Sequence, residues 1–289
     1  MNAQTQYYIP HGSHWPIVGS IALFCTFVGF SAMLNELSFG LPLMGAGIAI
    51  LLVMMFGWFG TVVRESEANT YNDQVDRSFR WGMFWFIFSE VMFFAAFFGA
   101  LFYARAFSLP WLGGEGDGAA TNMYLWPGFE ALWPSNANGP SQIGGDFRHM
   151  GAWGIPAINT LILLTSGVTV TWAHHGLRAN RRPTLIFGLF LTVALGLLFV
   201  GLQAYEYFHA YTDLNLTLGA GIYGSTFFML TGFHGLHVTI GAIMLIVILA
   251  RSIAGHFTPD RHFAFEAAAW YWHFVDVVWL GLFFFVYWL

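Results

Sequence analysis

The sequence contains no lysine, so all ten of its basic residues are arginines. This absence excludes a nucleotide-binding P-loop, whose lysine contacts the phosphates, and it excludes Schiff-base enzymes and retinal pumps, which need a lysine amine. The single cysteine, Cys25, excludes an intrachain disulfide and cysteine-rich zinc or iron–sulfur sites. The net charge of −5 argues against nucleic-acid binding.

Charged residues are also scarce, at 9% of the 289 residues. Soluble proteins carry about a quarter charged residues, so this chain has too few to cover a water-facing surface. Hydrophobic residues make up 57% and aromatic residues 19%, and both values are typical of surfaces that face lipid. The composition therefore predicts an integral membrane protein.

Seven apolar stretches are long enough to cross a bilayer, since a membrane-spanning helix needs about 20 mainly apolar residues. We expect an all-α integral membrane fold with seven transmembrane helices. The N-terminal segment carries no arginine, so the first stretch is interpreted as a retained helix and not as a signal peptide. The predicted spans are 17–34, 41–63, 82–105, 156–173, 184–205, 222–250 and 266–289.

The arginines predict the orientation of the chain, because basic residues concentrate in loops on the inner side of a membrane. Eight of the ten arginines lie in alternate connections, and only Arg105 and Arg148 lie on the other side. The N-terminus is thus predicted inside and the C-terminus outside. The one long loop, 106–155, is rich in glycine, proline and tryptophan and is expected to form an irregular cap over the outer face. The eight arginines are Arg64, Arg77, Arg80, Arg178, Arg181, Arg182, Arg251 and Arg261.

Glu90 is the most conspicuous ionisable residue at membrane depth, within "FIFSEVMFF" in the third span. Ionisable groups inside a span are costly and are candidates for a function. No arginine occurs at a comparable depth, so we expect no charged partner and a carboxyl that binds a proton, since desolvation disfavours the charged form. Glu90 is interpreted either as a proton relay or as a buried carboxyl satisfied within the helix bundle.

Spans six and seven carry a second set of polar residues at helical spacing. Two interpretations stay open from the residues alone: a structural hydrogen-bonded network, or a metal or haem site. The set contains no Glu-x-x-His motif, which di-metal helix bundles generally use. Two further histidines, His174 and His175, end the fourth span in "TWAHH". The members of the set are His234, His237, Glu266, His273 and Asp276.

Five residues at the predicted inner ends of spans two and six form a third candidate site. An arginine at that depth can bind a lipid phosphate through its fork of N–H donors. The alternative is ordinary snorkelling of long side chains toward water. These candidate lipid-binding residues are Trp58, Arg64, Glu65, Arg251 and His256.

Several long motifs in the same stretches resemble subunit III of cytochrome c oxidase. They are "HWPIVGS", "VVRES", "SEVMFFAAFFGALF", "NTLILLTSGVTVTWAHH", "LQAYEY", "YGSTFFMLTGFHGLHVTIG" and "FEAAAWYWHFVDVVWLGLF". Seven spans point to the cytochrome c branch, because subunit III of the related quinol oxidases generally lacks the two N-terminal helices. The long 106–155 loop resembles bacterial versions, which implies a bacterial cytoplasmic (inner) membrane.

The resemblance implies a fold in which two N-terminal helices are splayed from a five-helix bundle by a lipid-filled cleft. The expected division is a two-helix unit with its inner loop, 1–80, and a bundle, 81–289. In this family subunits I and II carry haem and copper, oxidise cytochrome c and reduce oxygen to water. Subunit III stabilises subunit I, supports proton uptake and binds phospholipids that can guide oxygen.

The resemblance also bears on the candidate sites. It implies that Glu90 is the family's buried carboxyl and that the five residues at the inner span ends contact lipid. It implies no catalytic residue, metal or cofactor in this chain, and contact with cytochrome c only through the complex. The alternative from a different class is an independent membrane metalloenzyme or proton channel built on the histidine, aspartate and glutamate set.

Overall fold

The computed structural model describes residues 12–134 and 146–288. Within these ranges seven helices are long and apolar enough to cross a membrane, which confirms the predicted all-α fold and the number of spans. Two short helices, α4 and α5, follow the third long helix. The bounds are α1 Trp15–Leu34, α2 Gly40–Glu67, α3 Asp73–Tyr103, α4 Leu109–Leu112, α5 Ala119–Tyr124, α6 Ile155–Arg178, α7 Arg182–Thr212, α8 Gly221–Ala254 and α9 Phe263–Leu282.

Most of the long helices extend beyond the predicted spans, because backbone hydrogen bonding continues past the apolar segment that hydropathy detects. The clearest case is α3, which begins at Asp73 and not near residue 82. Local signals mark several ends: Pro156 and Pro183 occupy the first turns of α6 and α7, where a missing N–H costs nothing. Gly255 ends α8 in the left-handed conformation, with φ of +89°, which glycine adopts without steric cost.

The predicted outer loop is less irregular than expected where the structure describes it. A π-helical turn, Ala104–Ser108, joins α3 to α4, and a 3₁₀ turn, Gly116–Gly118, precedes α5. The side chain of Asn122 in α5 donates a hydrogen bond to the Leu112 carbonyl over 2.9 Å, which ties α5 to α4. Residues 135–145 of this loop, and Leu289 at the end of the last predicted span, lie outside the described residues.

The chain divides into two compact units, with the boundary between Phe79 and Arg80. In the N-terminal unit, α1 and α2 pack as a hairpin through small residues. A Cβ atom added at Gly29 would lie 2.2 Å from the Met44 nitrogen, and one added at Gly47 would lie 2.5 Å from the Thr26 nitrogen. Glycine at these two positions therefore allows the backbones to approach closely, as is common in membrane helix pairs.

The second unit contains α6–α9 and the part of α3 that follows residue 79. Its core is aromatic, with Trp272, Trp279 and Phe199 fully buried between the helices. The helices α6 and α7 form one hairpin, and α8 and α9 form the next. The turns of both hairpins carry arginines. We call this side of the unit the arginine-rich end, and it contains the C-termini of α6 and α8 and the N-termini of α7 and α9.

Candidate functional site

The carboxyl of Glu90 in α3 is paired with a histidine of α8. Glu90 Oε2 lies 2.8 Å from His237 Nε2, and the other ring nitrogen, Nδ1, lies 2.6 Å from the Phe233 carbonyl oxygen. The rings of Phe93 and Phe94 pack against the imidazole, with centroids 5.8 and 5.0 Å away. Glu90 therefore has an ionisable partner, His237, which the absence of a nearby arginine did not predict.

These two contacts determine how many protons the Glu90–His237 pair holds. A carbonyl oxygen can only accept, so the Phe233 contact requires a hydrogen on Nδ1 of His237. One further proton must then lie between Nε2 and the Glu90 carboxyl. The pair is either a carboxylic acid that donates to a neutral imidazole or an imidazolium that donates to a carboxylate, and it has no net charge in either form.

The other members of the predicted polar set do not join this pair. His234 is completely buried, and its Nε2 donates to the Val275 carbonyl over 3.0 Å. The rings of Phe199 and Trp279 lie 5.7 and 5.2 Å from its centroid. His234 thus links α8 to α9 within an aromatic layer.

His273 and Asp276 of α9 face a shallow groove beside α6. His273 Nε2 lies 3.3 Å from the Thr171 hydroxyl, and a Cβ added at Gly167 would lie 3.0 Å from Asp276 Oδ2. The groove is lined by apolar side chains such as Trp172 together with Thr171, His175, His273 and Asp276. In the described part of the chain, the five predicted residues are thus divided among separate places rather than joined in one network.

Glu266, the fifth residue of the set, lies at the arginine-rich end. Its Oε2 accepts a hydrogen bond from the Arg80 guanidinium of α3. Its Oε1 faces two imidazoles, 3.3 Å from His262 Nε2 and 3.7 Å from His174 Nε2. The carboxylate thus joins α3, α6 and the start of α9 at one point.

Sequence reasoning missed a second buried carboxyl, Glu206 in α7. It is completely buried, and its Oε1 accepts a hydrogen bond from the Tyr287 hydroxyl over 2.6 Å. The predicted fifth span ended at residue 205, so Glu206 was not assigned to membrane depth. A fifth span predicted one helical turn longer would have included Glu206. A glutamate inside a membrane span is a candidate functional residue, so this residue would then have been identified.

Three of the predicted lipid-binding residues belong to the N-terminal unit, near the end of α2. Trp58 is 46% exposed. Arg64 folds back on its own helix, with Nε 3.2 Å from the Gly60 carbonyl oxygen. Glu65 accepts a hydrogen bond from the Tyr71 hydroxyl over 2.6 Å. Since a guanidinium carries five N–H donors, this arrangement leaves Arg64 able to bind an anion as well.

The other two lipid-binding candidates lie at the arginine-rich end of the second unit. The Arg251 guanidinium lies over the Phe257 ring at 4.7 Å, and its Nε is 3.5 Å from His256 Nδ1. Stacking on an aromatic face fixes the plane of a guanidinium.

Comparison with known proteins identifies the family. The family model described as cytochrome c oxidase subunit III matches residues 5–115 and 126–289. The chain is 43% identical to cytochrome c oxidase subunit 3 of Latimeria chalumnae over 283 residues, which cover 98% of this chain and 96% of that protein. It is 41% identical to cytochrome c oxidase subunit 3 of Arabidopsis thaliana, with coverage of 98% and 96%.

The chain belongs to the cytochrome c oxidase subunit III family. As a member of this family, it is a multi-pass membrane component of an oxidase complex. The match contains all seven long helices, and it leaves residues 116–125 unmatched. That gap lies in the long loop and contains both the 3₁₀ turn and α5.

Proposed function

We propose that this chain is a non-redox subunit of a proton-pumping cytochrome c oxidase. In this proposal the haem and copper centres belong to subunits I and II, and this chain stabilises subunit I, retains phospholipid and supports proton uptake. The observation that carries the proposal is the use of polar side chains in the second unit. They bond from helix to helix inside the bundle.

The six bonds connect α3 to α8, α6 to α7, α7 to α8 and α6 to α9, and they connect Tyr287, which follows α9, to α7. Bonds of this kind lock the rotation of one helix against the next and support a rigid scaffold. A scaffold of this kind suits a subunit that holds a partner in place during turnover. The bonds are Glu90–His237, Gln203 to the Thr231 carbonyl, Tyr287–Glu206, Thr169–Thr192, Trp272–Ser166 and Trp279–Thr160.

Retention of phospholipid is supported by the arginines at the helix ends in each unit. In the first unit Trp58 precedes Arg64 on the same helix. In the second unit Phe257 follows Arg251 and packs against its guanidinium. Aromatic rings and arginines together are typical of the level of the lipid headgroups. We infer that phospholipid is held at these helix ends in each unit.

The proposal extends to the location of the protein. We infer a bacterial cytoplasmic membrane with the N-terminus inside, because the arginines lie on alternate connections. The ten-residue gap in the family match, at 116–125, agrees with an outer loop that is longer than the compact form.

The proposal is tested on the oxidase purified with and without this chain. We expect both preparations to show the same haem spectrum and the same initial rate of oxygen reduction. Without the chain, proton uptake should slow and activity should decay during sustained turnover. Loss of the haem spectrum or of all initial activity would contradict a non-redox role. Proton flux through vesicles that contain this chain alone would instead favour a proton channel.

A further inference from the structure

Three metal-ligating atoms converge at the arginine-rich end, outside the polar groups of the membrane interior. They are Nε2 of His174, near the end of α6, Nε2 of His262, just before α9, and Oε1 of Glu266, in the first turn of α9. The two imidazole nitrogens are 3.3 Å apart, and the carboxylate oxygen is 3.3 Å from His262 and 3.7 Å from His174.

This triangle has the size of one face of a zinc coordination tetrahedron. Zinc binds histidine nitrogen and carboxylate oxygen at about 2.0–2.2 Å in tetrahedral geometry, which places neighbouring ligand atoms about 3.3–3.6 Å apart. Two imidazoles and one carboxylate leave the fourth position for water. Magnesium and calcium prefer sites made of oxygen atoms, so this ligand set disfavours them.

Surrounding contacts orient two of the three ligands. His262 Nδ1 lies 3.0 Å from the Thr258 carbonyl, which requires a hydrogen on Nδ1 and leaves the Nε2 lone pair directed at the cluster when the ring is neutral. Arg80 binds Oε2 of Glu266 and so leaves Oε1 for the histidines. Partners of this kind fix the tautomer and direction of metal ligands, and they raise metal affinity.

The cluster is accessible and positively charged at its edge. The side chains of His174, His262 and Glu266 are 28%, 10% and 18% exposed, so an ion can enter from the aqueous side. Arg80 contacts the cluster, and Arg178 follows His174 by one helical turn. Their charges oppose a bound cation, so we expect a zinc ion that exchanges with the solution rather than a permanent structural metal.

We propose that His174, His262 and Glu266 form a reversible zinc-binding site that joins the end of α6 to the start of α9. The residues of spans six and seven left a metal site open, and the family resemblance implied no metal in this chain. The triad instead combines the end of α6, the connection that precedes α9 and the first turn of α9. Bound zinc would tie these two helices together at the arginine-rich end.

The test uses the purified oxidase complex, stripped with a chelator and then equilibrated with zinc ions. Partner subunits can bind zinc as well, so the measurement is the difference in bound zinc between variants. We expect His262→Ala and His174→Ala each to weaken zinc binding at one site more than about tenfold, since each removes a ligand. His175→Ala is the matched control, because this neighbouring histidine is exposed and outside the triad.

Each outcome decides the proposal. Loss of one zinc in both ligand variants, with the control unchanged and the haem spectrum intact, supports it. Equal zinc content in His262→Ala, His174→Ala and the unaltered complex would overturn it. Loss of zinc in the His175→Ala control would also overturn it, because the zinc would then lie at another site. Competition by magnesium at equal concentration would contradict the proposed ligand chemistry.

Discussion

Replacing Glu90 tests whether its carboxyl supports the structure or carries protons. Glu90→Gln retains the size of the side chain, and its amide N–H can donate to His237 Nε2 in place of the carboxyl proton. Glu90→Ala removes that group and leaves Nε2 of the imidazole without its partner in an aromatic setting. We therefore expect the two variants to differ in stability.

The magnitude follows from the single contact that Glu90 makes with α8. Leaving a buried polar group without its partner costs about 1–3 kcal/mol of stability, and an exchange that keeps the hydrogen bond costs less than about 1 kcal/mol. A double-mutant cycle with His237→Ala should return a coupling free energy of about 0.5–3 kcal/mol, because the two side chains contact each other directly.

The assay measures the temperature at which this chain dissociates from the purified complex, together with proton pumping in reconstituted vesicles. Glu90→Ala should dissociate at a lower temperature than Glu90→Gln. Ser89→Ala is the control at the neighbouring position, because its hydroxyl bonds only within α3, to the Phe86 carbonyl. Glu90→Gln should assemble and pump normally. If Glu90→Gln abolished pumping while oxygen reduction continued, the carboxyl would be a proton relay and our reasoning would be refuted.

A chemical probe reports the protonation of the same carboxyl. A hydrophobic carbodiimide reacts with protonated carboxyls in apolar surroundings, so we expect it to label Glu90 and to spare the exposed Asp73. Peptide mass spectrometry after labelling identifies the site. Labelling of Asp73 but not of Glu90 would contradict this expectation.

Three other predictions concern metals, lipid and the second buried carboxyl. The purified chain should show no visible absorption and no stoichiometric iron or copper, and elemental analysis that finds either metal would contradict its non-redox role. Replacing Arg64 and Arg251 together with alanine should strip phospholipid and speed the loss of activity during turnover, since each charged hydrogen bond contributes about 1.5–3 kcal/mol when poorly solvated; unchanged lipid in mass spectrometry would count against the lipid site. Tyr287→Phe should destabilise the chain by about 1–3 kcal/mol, because Glu206 loses its donor in a fully buried place, and Glu206→Gln should restore part of that loss in a thermal melt.

The candidate sites divide into those that sequence could predict and those that it could not. Glu90 was conspicuous because a charge within an apolar run is a local property of the sequence. Its partner, His237, was assigned to the polar set of spans six and seven. Whether His237 of α8 faces α9 or α3 depends on the rotation of α8 about its axis, which the sequence does not give. Glu206 was missed because hydropathy marks where a span is apolar and not where its helix ends.

Sequence alone was enough to predict seven membrane helices, since the number of long apolar runs and the scarcity of charge leave few alternatives in a bilayer. The long motifs were enough to predict the family. Only the tertiary structure decided which polar side chains meet. His174 and His262 are 88 positions apart, and Arg80 and Glu266 are 186 apart. Such pairs form because helix packing brings distant turns into contact, and neither hydropathy nor helical spacing within one span contains that information.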